Sequence, residues 1–158
     1  MILYNGNQID NIAESLRLNK RVVNLVLFNY RTYLEEKINS GETVKVLNIC
    51  YIRNYENTKD YEHETLAYIA SNIARGTDMG SVTVLRILTT LEEMIVRDIA
   101  HGERYALKGL IRIRTVVTED GVRVRVAKSS KYNNKPVKVV VLGSFKRKVE
   151  EMNARKDA

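Results

Sequence analysis

The sequence is poor in residues that cross-link a chain, interrupt its secondary structure or carry out chemistry. Its 158 residues include one Cys, one Pro, two His and no Trp. A single cysteine excludes an intramolecular disulfide, and Cys50 stands in an apolar run. We therefore interpret it as a buried small hydrophobic residue of a protein in a reducing compartment. Hydrophobic residues make up 44% and charged residues 28% of the chain, with one Pro and 8 Gly, which excludes a disordered or fibrous chain.

Long apolar runs are also missing. Stretches such as 22–28 contain Asn or Lys and end well before the length of about 20 apolar residues that a membrane helix needs. The N-terminus has neither the basic region nor the apolar core of a signal peptide. We therefore expect no membrane contact. The expected location is the cytoplasm, in association with the nucleoid, or the host cytoplasm or virion if the chain is phage-encoded.

Positive charge is concentrated in the last third of the chain. The net charge is +7, and residues 104–158 carry 15 Lys and Arg against five Asp and Glu, a local net charge of +10. The rest of the chain has a net charge of −3. This segregation indicates a polyanionic partner. The alternative is a solvated basic surface that only keeps the protein soluble.

A short helix, a long helix and an extended segment are predicted twice. Apolar residues recur at helical spacing over 22–38 and again over 82–99. Asn19 is the predicted N-cap of the first long helix. Both long helices are expected to end at a Gly-Glu pair, Gly41-Glu42 and Gly102-Glu103, because glycine readily adopts the left-handed conformation that ends a helix.

The two units match without a gap at one constant offset along the chain. This repeat offset is the number of residues from Gly41 to Gly102. It places Gly102-Glu103 on Gly41-Glu42, and it also places Ile73-Ala74 on Ile12-Ala13. Apolar periodicity alone would not produce these shared pairs, so the sequence predicts a duplication. The predicted halves are residues 1–58 and 59–158, which together form one compact domain.

Only the second unit continues into a larger sheet. Residues 110–117 and 122–128 alternate around Asp120-Gly121, which is typical of a β-hairpin. A polar loop, a third strand over 136–142 and a final helix with Ser144 as its N-cap are expected to follow. The alternation places four arginines on one face of the hairpin: Arg112, Arg114, Arg123 and Arg125.

This order of elements resembles the HU/IHF family of bacterial histone-like DNA-binding proteins, over about residues 8–53 and 64–150. In the first unit the resemblance rests on Ile12-Ala13-Glu14, Leu18-Asn19-Lys20, Val26-Leu27, Tyr30, Ile38, Gly41-Glu42, Val44 and Val46. In the second unit it rests on Ile73-Ala74, Leu88, Leu91, Ile95, Ile99, Gly102-Glu103, Tyr105, Leu107 and Gly109-Leu110. The family's "Gly-Glu-x-Val-x-Leu-x-Gly-Phe-Gly" stretch is matched by residues 102–111, with Leu110 for Phe and Ile111 for the last Gly.

The resemblance implies an α+β fold in which two helical repeat units pack as an intertwined pseudo-dimer, with antiparallel β-hairpins and a C-terminal helix. The first unit would supply a helical base and a short hairpin without an arm. The second would supply a helical base, a three-stranded sheet and the C-terminal helix. Family members grip the DNA minor groove with β-arms tipped by Arg-Asn-Pro. That tip is absent here, and Pro136 lies at a strand start, so kinking by an intercalated proline is not implied.

The residues expected to contact DNA are mostly basic and lie in the last third. Guanidinium groups bind phosphate oxygens bidentately. A lysine-rich loop with one tyrosine is expected to enter a groove or stack on a base. Cations in the first turn of a helix oppose its dipole, which hints at an anionic partner. The alternative for each group is a solvated surface without a ligand. The predicted set is Arg112, Arg114, Arg123, Arg125, Lys128, Lys131, Tyr132, Lys135, Lys138, Lys146 and Arg147.

No pattern in the sequence indicates an enzyme. Zinc-ligand spacing, a phosphate-binding glycine loop and a nucleophile elbow are all missing. His101 is expected to interact with the last carbonyls of the second long helix. Four acidic residues are interpreted as surface charge: Glu62, Glu64, Glu92 and Glu93.

We therefore predict a non-catalytic architectural protein without cofactor or metal. It would bind duplex DNA largely without sequence specificity, at the phosphate backbone and minor groove, and bend or compact it, as a monomeric pseudo-dimer or a homodimer. RNA or an acidic protein remains an alternative partner. The alternative function is a structural or protein-interaction component, such as a phage virion or adaptor protein, that reuses the fold.

Overall fold

The computed structural model describes residues 6–57, 65–107 and 109–156. Glu62, His63 and Glu64 lie outside these residues. The described part contains a 3-10 turn at Ser130–Tyr132, five α-helices and six β-strands. The helices and strands are α1 (Gly6–Leu16), α2 (Lys20–Asn39), β1 (Val44–Val46), β2 (Cys50–Asn54), α3 (Leu66–Thr77), α4 (Ser81–Ala100), β3 (Tyr105–Leu107), β4 (Ile111–Thr118), β5 (Gly121–Lys128), β6 (Val137–Val141) and α5 (Gly143–Lys156).

The two long helices begin and end as the sequence predicts. Asn19 caps α2, and its side-chain oxygen accepts a hydrogen bond from the backbone N–H of Arg21 at 2.8 Å. After the helices, Gly41 and Gly102 have φ values of +80° and +88°. Only glycine adopts this left-handed conformation without steric cost, which explains why both helices stop there. His101 lies beside the last turn of α4, as predicted, with Nδ1 2.7 Å from the carbonyl oxygen of Arg97.

The structure contains two similar helix–helix–sheet units. Helix α4 begins and ends at the positions that the repeat offset assigns to α2, and β3 begins and ends at those it assigns to β1. The turns between the helices also match, because Arg17 and Asp78 have left-handed φ values of 55° and 57°. The same backbone hydrogen bond closes both turns, from Leu18 to Ala13 at 2.8 Å and from Met79 to Ala74 at 3.3 Å.

Each unit carries one three-stranded antiparallel sheet. The strand orders are β1-β2-β6 and β3-β4-β5. In the first sheet Ile52 pairs with Val139 of β6, and in the second its repeat counterpart Ile113 pairs with Val126 of β5. Strand β6 therefore takes in the first sheet the place that β5 takes in the second. The sequence predicts this strand, but as the third strand of the second unit's sheet. That assignment is wrong, because β6 pairs with β2 of the first unit and β3 lies beside β4 in the second sheet.

The two units pack around one hydrophobic core. Helix α1 contacts both α2 and α4, α2 contacts α3, and α5 contacts α4 and β5. The prediction that Ser144 is the N-cap of α5 is wrong. The helix begins at Gly143, because the carbonyl of Leu142 already accepts hydrogen bonds from the N–H groups of Phe145 and Lys146. None of the helices in the described part of the chain is long and apolar enough to cross a membrane.

Buried polar groups fix the β1–β2 hairpin to both long helices. The Tyr30 hydroxyl on α2 accepts a hydrogen bond from the N–H of Leu47 at 2.7 Å and lies 3.2 Å from the carbonyl oxygen of Lys45. Oε1 of Glu92 on α4 accepts a hydrogen bond from the N–H of Asn48 at 2.6 Å. Burial raises the pKa of Tyr30, so its hydroxyl stays protonated.

The interpretation of Glu92 as surface charge is therefore wrong. Its side chain is 7% exposed, and Oε2 lies 3.9 Å from Nζ of Lys148 on α5. The hairpin turn of the other unit covers this face of α4, and helical periodicity gives no sign of that contact. Glu93, next in sequence, is exposed as predicted. Cys50 is also as predicted: it is fully buried, and burial raises the pKa of its thiol to about 12.

Candidate nucleic-acid interface

The predicted arginine face exists on the β4–β5 hairpin. Arg114 pairs directly with Arg125, and Arg112 and Arg123 project to the same side because their partners are Ala127 and Val116. All four arginines are exposed, while Ile113 and Val124 are buried on the opposite side. A two-residue turn at Glu119 and Asp120 joins the strands, so the register is that of the predicted hairpin.

A shallow groove of about 650 Å³ runs across this face. Its middle is low because Ala106 and Ala127 flank Arg112 on the two neighbouring strands. Arg104, just before β3, lines the same groove. Its position continues the β3–β4 register to a place opposite Arg114. Small side chains thus form the floor of the groove, and four arginines line it. These are Arg104, Arg112, Arg114 and Arg125.

The arginines of this groove have no carboxylate partner within the described residues. Arg114 and Arg125 are like charges directly opposite each other, an arrangement that destabilises a strand pair. No carboxylate of residues 6–57, 65–107 or 109–156 forms an ion pair with either arginine or with Arg104 and Arg112. An external anion would relieve the repulsion, so the groove is suited to bind a polyanion.

Arg123 differs from the other arginines of the face. Its guanidinium is 3.8 Å from a carboxylate oxygen of Glu150 on α5. Its side chain is half exposed. Because Glu150 already compensates part of its charge, we expect Arg123 to contribute less to anion binding than Arg114 or Arg125.

The predicted lysines of the segment after β5 form contacts with other parts of the chain. Lys128 pairs with Ile111 on the face opposite the arginines, and Nζ donates a hydrogen bond to the carbonyl of Val137 at 3.1 Å. This bond links the edge strands of the two sheets. Lys131 lies 3.4 Å from Glu35 of α2. Lys135 is half-buried, and its backbone N–H bonds to the carbonyl of Tyr132.

The prediction that Tyr132 stands on an exposed loop and stacks on a base is wrong. Its side chain is fully buried, and its hydroxyl has no hydrogen-bond partner among the described residues. Burial raises the pKa of this tyrosine. Arg31 and Lys131 both bond to Glu35, which fastens the segment onto α2 so that the ring fills the core. Sequence polarity predicted a loop but did not show that its one aromatic residue points inward.

The remaining predicted residues lie on other surfaces. Lys138 is exposed on β6, opposite Arg53 of the first sheet. Lys146 and Arg147 are exposed at the start of α5, whose Phe145 is buried in the core. The eleven predicted residues thus do not form one surface. Arg112, Arg114, Arg123 and Arg125 lie together on the arginine face, and the others belong to the opposite face of β5 or to other elements.

Two relevant basic residues were missed by the sequence prediction. Arg104 stands two positions before Ala106, so the alternation of β3 extended backwards would have placed it on the arginine face. Arg53 is the counterpart of Arg114 at the repeat offset, so the repeat itself would have found it.

Within the described residues no group of His, Cys, Asp and Glu is arranged to hold a metal ion. Comparison of the chain with family models, with curated proteins and with solved structures finds no match.

Proposed function

We propose that this chain is a divergent, single-chain version of the HU/IHF architecture and acts as a non-catalytic architectural protein on duplex DNA. The groove on the β3-β4-β5 sheet would bind the phosphate backbone with little sequence specificity. One observation carries the proposal: four arginines that have no carboxylate partner within the described residues line one open groove. The four are Arg104, Arg112, Arg114 and Arg125.

The reciprocal helix contacts support a pseudo-dimer. Helix α1 of the first unit packs on α4 of the second, and α2 of the first packs on α3 of the second. These contacts exchange when the two units are exchanged, as in a twofold dimer of identical subunits. Strand β6 completes the first sheet, so a partner subunit is not needed to supply it. We therefore propose a monomer that acts in the cytoplasm or, if phage-encoded, in the host cytoplasm or virion.

The composition of the β4–β5 hairpin favours binding through the groove and not through its tip. Strand β3 pairs only with residues 111–113, so beyond them the hairpin has two strands, with α5 packed against β5. Glu119 and Asp120 form its turn, and these carboxylates would be repelled by DNA phosphates. Phosphate contacts at the base of the ribbon release counterions, and this contribution to affinity falls as salt rises.

Fluorescence anisotropy with a labelled mixed-sequence DNA duplex, titrated with salt, tests the proposal. The variant Arg114→Glu with Arg125→Glu should weaken binding at least about tenfold and make the salt dependence shallower by about two phosphate contacts. The matched control is Arg75→Glu with Arg86→Glu, the same change of charge at exposed positions of α3 and α4. The control should retain most of the affinity.

Three results would contradict the proposal: no binding by the wild-type protein, binding that does not weaken as salt rises, or equal losses in the two double variants. No binding at all would favour a structural or protein-interaction component. Thermal melting of each variant shows whether it is folded, because exposed charge changes on the surface should leave the transition nearly unchanged.

A further inference from the structure

The outer face of the first sheet has the same strand pairing as the arginine face but carries different side chains. Strand β2 corresponds to β4 at the repeat offset, and β6 occupies the place of β5. Arg53 opposite Lys138 therefore repeats the like-charged pair of Arg114 opposite Arg125. Neither cation forms an ion pair within the described residues. A cross-strand repulsion is thus kept in both sheets, which points to an anionic ligand at each.

Two tyrosines flank the cation of the central strand. Tyr51, Arg53 and Tyr55 alternate with the buried residues Ile52 and Asn54, so they share the outer face, where Arg53 and Tyr55 are exposed and Tyr51 is half-buried. The backbone N–H of Tyr55 bonds to the carbonyl of Pro136 at 3.0 Å, which continues the β2–β6 register by one residue. The strand remains extended through Tyr55, whose side chain is 62% exposed.

The spacing places the two rings on either side of one cationic position. Tyr51 and Tyr55 are four residues apart, about 13 Å along an extended strand. Lys45 and Val140 lie beside Tyr51 on the neighbouring strands. The counterparts of Tyr51 and Tyr55 in the second unit are Arg112 and Val116, so this face carries aromatic rings where the arginine face has one guanidinium and one aliphatic group.

We propose that this surface, the Tyr51–Arg53–Tyr55 face, binds single-stranded nucleic acid. The tyrosine rings would stack on unpaired bases, and Arg53 with Lys138 would bind the phosphates between them. Aromatic side chains interleaved with cations on an open sheet are suited to such strands, because every base offers a π face and stacking tolerates any sequence. Bases within a duplex are already stacked on one another and do not reach these rings. None of these four residues lines the duplex-binding groove.

The test uses the full chain and fluorescently labelled oligo(dT) and oligo(U) as separate probes. Tyr51→Ala with Tyr55→Ala should weaken binding of the single strand at least about tenfold, since stacking on each ring contributes substantially per base. The same variant should bind a DNA duplex within about twofold of the wild type. Tyr68→Ala is the matched control, because Tyr68 is 52% exposed on α3 of the helical base. Tyr51→Phe with Tyr55→Phe should retain most of the binding, because stacking needs the ring and not the hydroxyl.

The absence of Trp allows a second readout, since tyrosine fluorescence is not masked by indole emission. Stacked bases should quench it in the wild type and in Tyr68→Ala but much less in the double alanine variant. The inference is overturned if neither oligonucleotide binds, if the double alanine variant binds as Tyr68→Ala does, or if the phenylalanine variant loses as much as the alanine variant. The two probes also decide between DNA and RNA strands as the preferred source. Loss of duplex binding in Arg114→Glu with Arg125→Glu is a separate result that concerns only the groove.

Discussion

The two halves of the molecule share a backbone plan and differ in how each sheet is completed. In the second half β5 follows β4 directly through a two-residue turn. In the first half the equivalent place is filled by β6, from the far end of the chain. The long helices, the turns before them and the left-handed Gly41 and Gly102 coincide at the repeat offset, whereas most outward-facing residues of the sheets differ. The repeat is thus preserved in the core, while the arginine face and the Tyr51–Arg53–Tyr55 face carry different side chains.

The largest expected effect tests whether the two halves share one core. Ile52→Ala and Ile113→Ala remove equivalent buried side chains, 0% and 1% exposed, from the central strands. Each should lower the free energy of unfolding by about 2–4 kcal/mol through lost burial and a cavity. Urea denaturation should show one transition in both variants. A variant that unfolds in two steps would contradict the shared core, because one half would then be melting alone.

The next effect concerns a contact between the two halves that the repeat does not duplicate, the hydrogen bond from Asn48 to Glu92. Glu92→Ala removes the acceptor of the partly buried Asn48 N–H, and the repeat counterpart of Glu92 is Arg31. Stability should fall by about 1–3 kcal/mol, because a partly buried donor loses its charged partner. The exposed neighbour Glu93→Ala is the control and should change stability by less than about 0.5 kcal/mol. Equal effects of the two variants in chemical denaturation would show that Glu92 does not hold the hairpin.

A smaller effect should depend on pH. Partial burial alone would raise the pKa of Glu35, but the hydrogen bond and charge of Arg31 and the charge of Lys131 hold it below its ordinary value of 4.5. The ionised form is thus favoured in the folded state. Its contribution is fully present above pH 4.5 and is lost as pH falls through the lowered pKa.

Glu35→Gln should therefore cost less than about 1 kcal/mol at neutral pH and almost nothing in acid, as expected for a partly exposed ion pair. The measurement is thermal unfolding at neutral and acidic pH, with the exposed neighbour Glu36→Gln as control. A cost that is the same at both pH values would contradict the role of the ionised carboxylate in fastening the segment 129–135 to the first half.

The smallest effect would make the two halves more alike. Helix α2 has a side-chain cap at Asn19, whereas α4 begins after Gly80, which has no side-chain cap. Gly80 has φ −71° and ψ 138°, and a Cβ there would meet nothing within 4 Å. Gly80→Asn should raise stability by a few tenths of a kcal/mol. A lower melting temperature would show that the two helix starts are not equivalent.

The sequence predicted the periodic parts of the structure and missed the contacts between distant segments. Helices, hairpins and the arginine face follow from residue spacing and from glycine at left-handed positions. The pairing of β6 with β2, the burial of Glu92 and the burial of Tyr132 all depend on residues far away in the chain. No local pattern encodes such contacts, so polarity alone placed Glu92 and Tyr132 on the surface. The repeat offset would have identified Arg53, since it superimposes that residue on Arg114.

The position of β6 has a consequence for how the chain becomes a folded protein. Ile52 and Val139 are paired although more than half of the chain lies between them. During synthesis the β1–β2 hairpin leaves the ribosome long before the strand that completes its sheet. Until then β2 has an open edge that can pair with another chain. Nascent chains that stop short of β6 should therefore be prone to aggregation, and the slow closure of this long loop should limit the rate of folding.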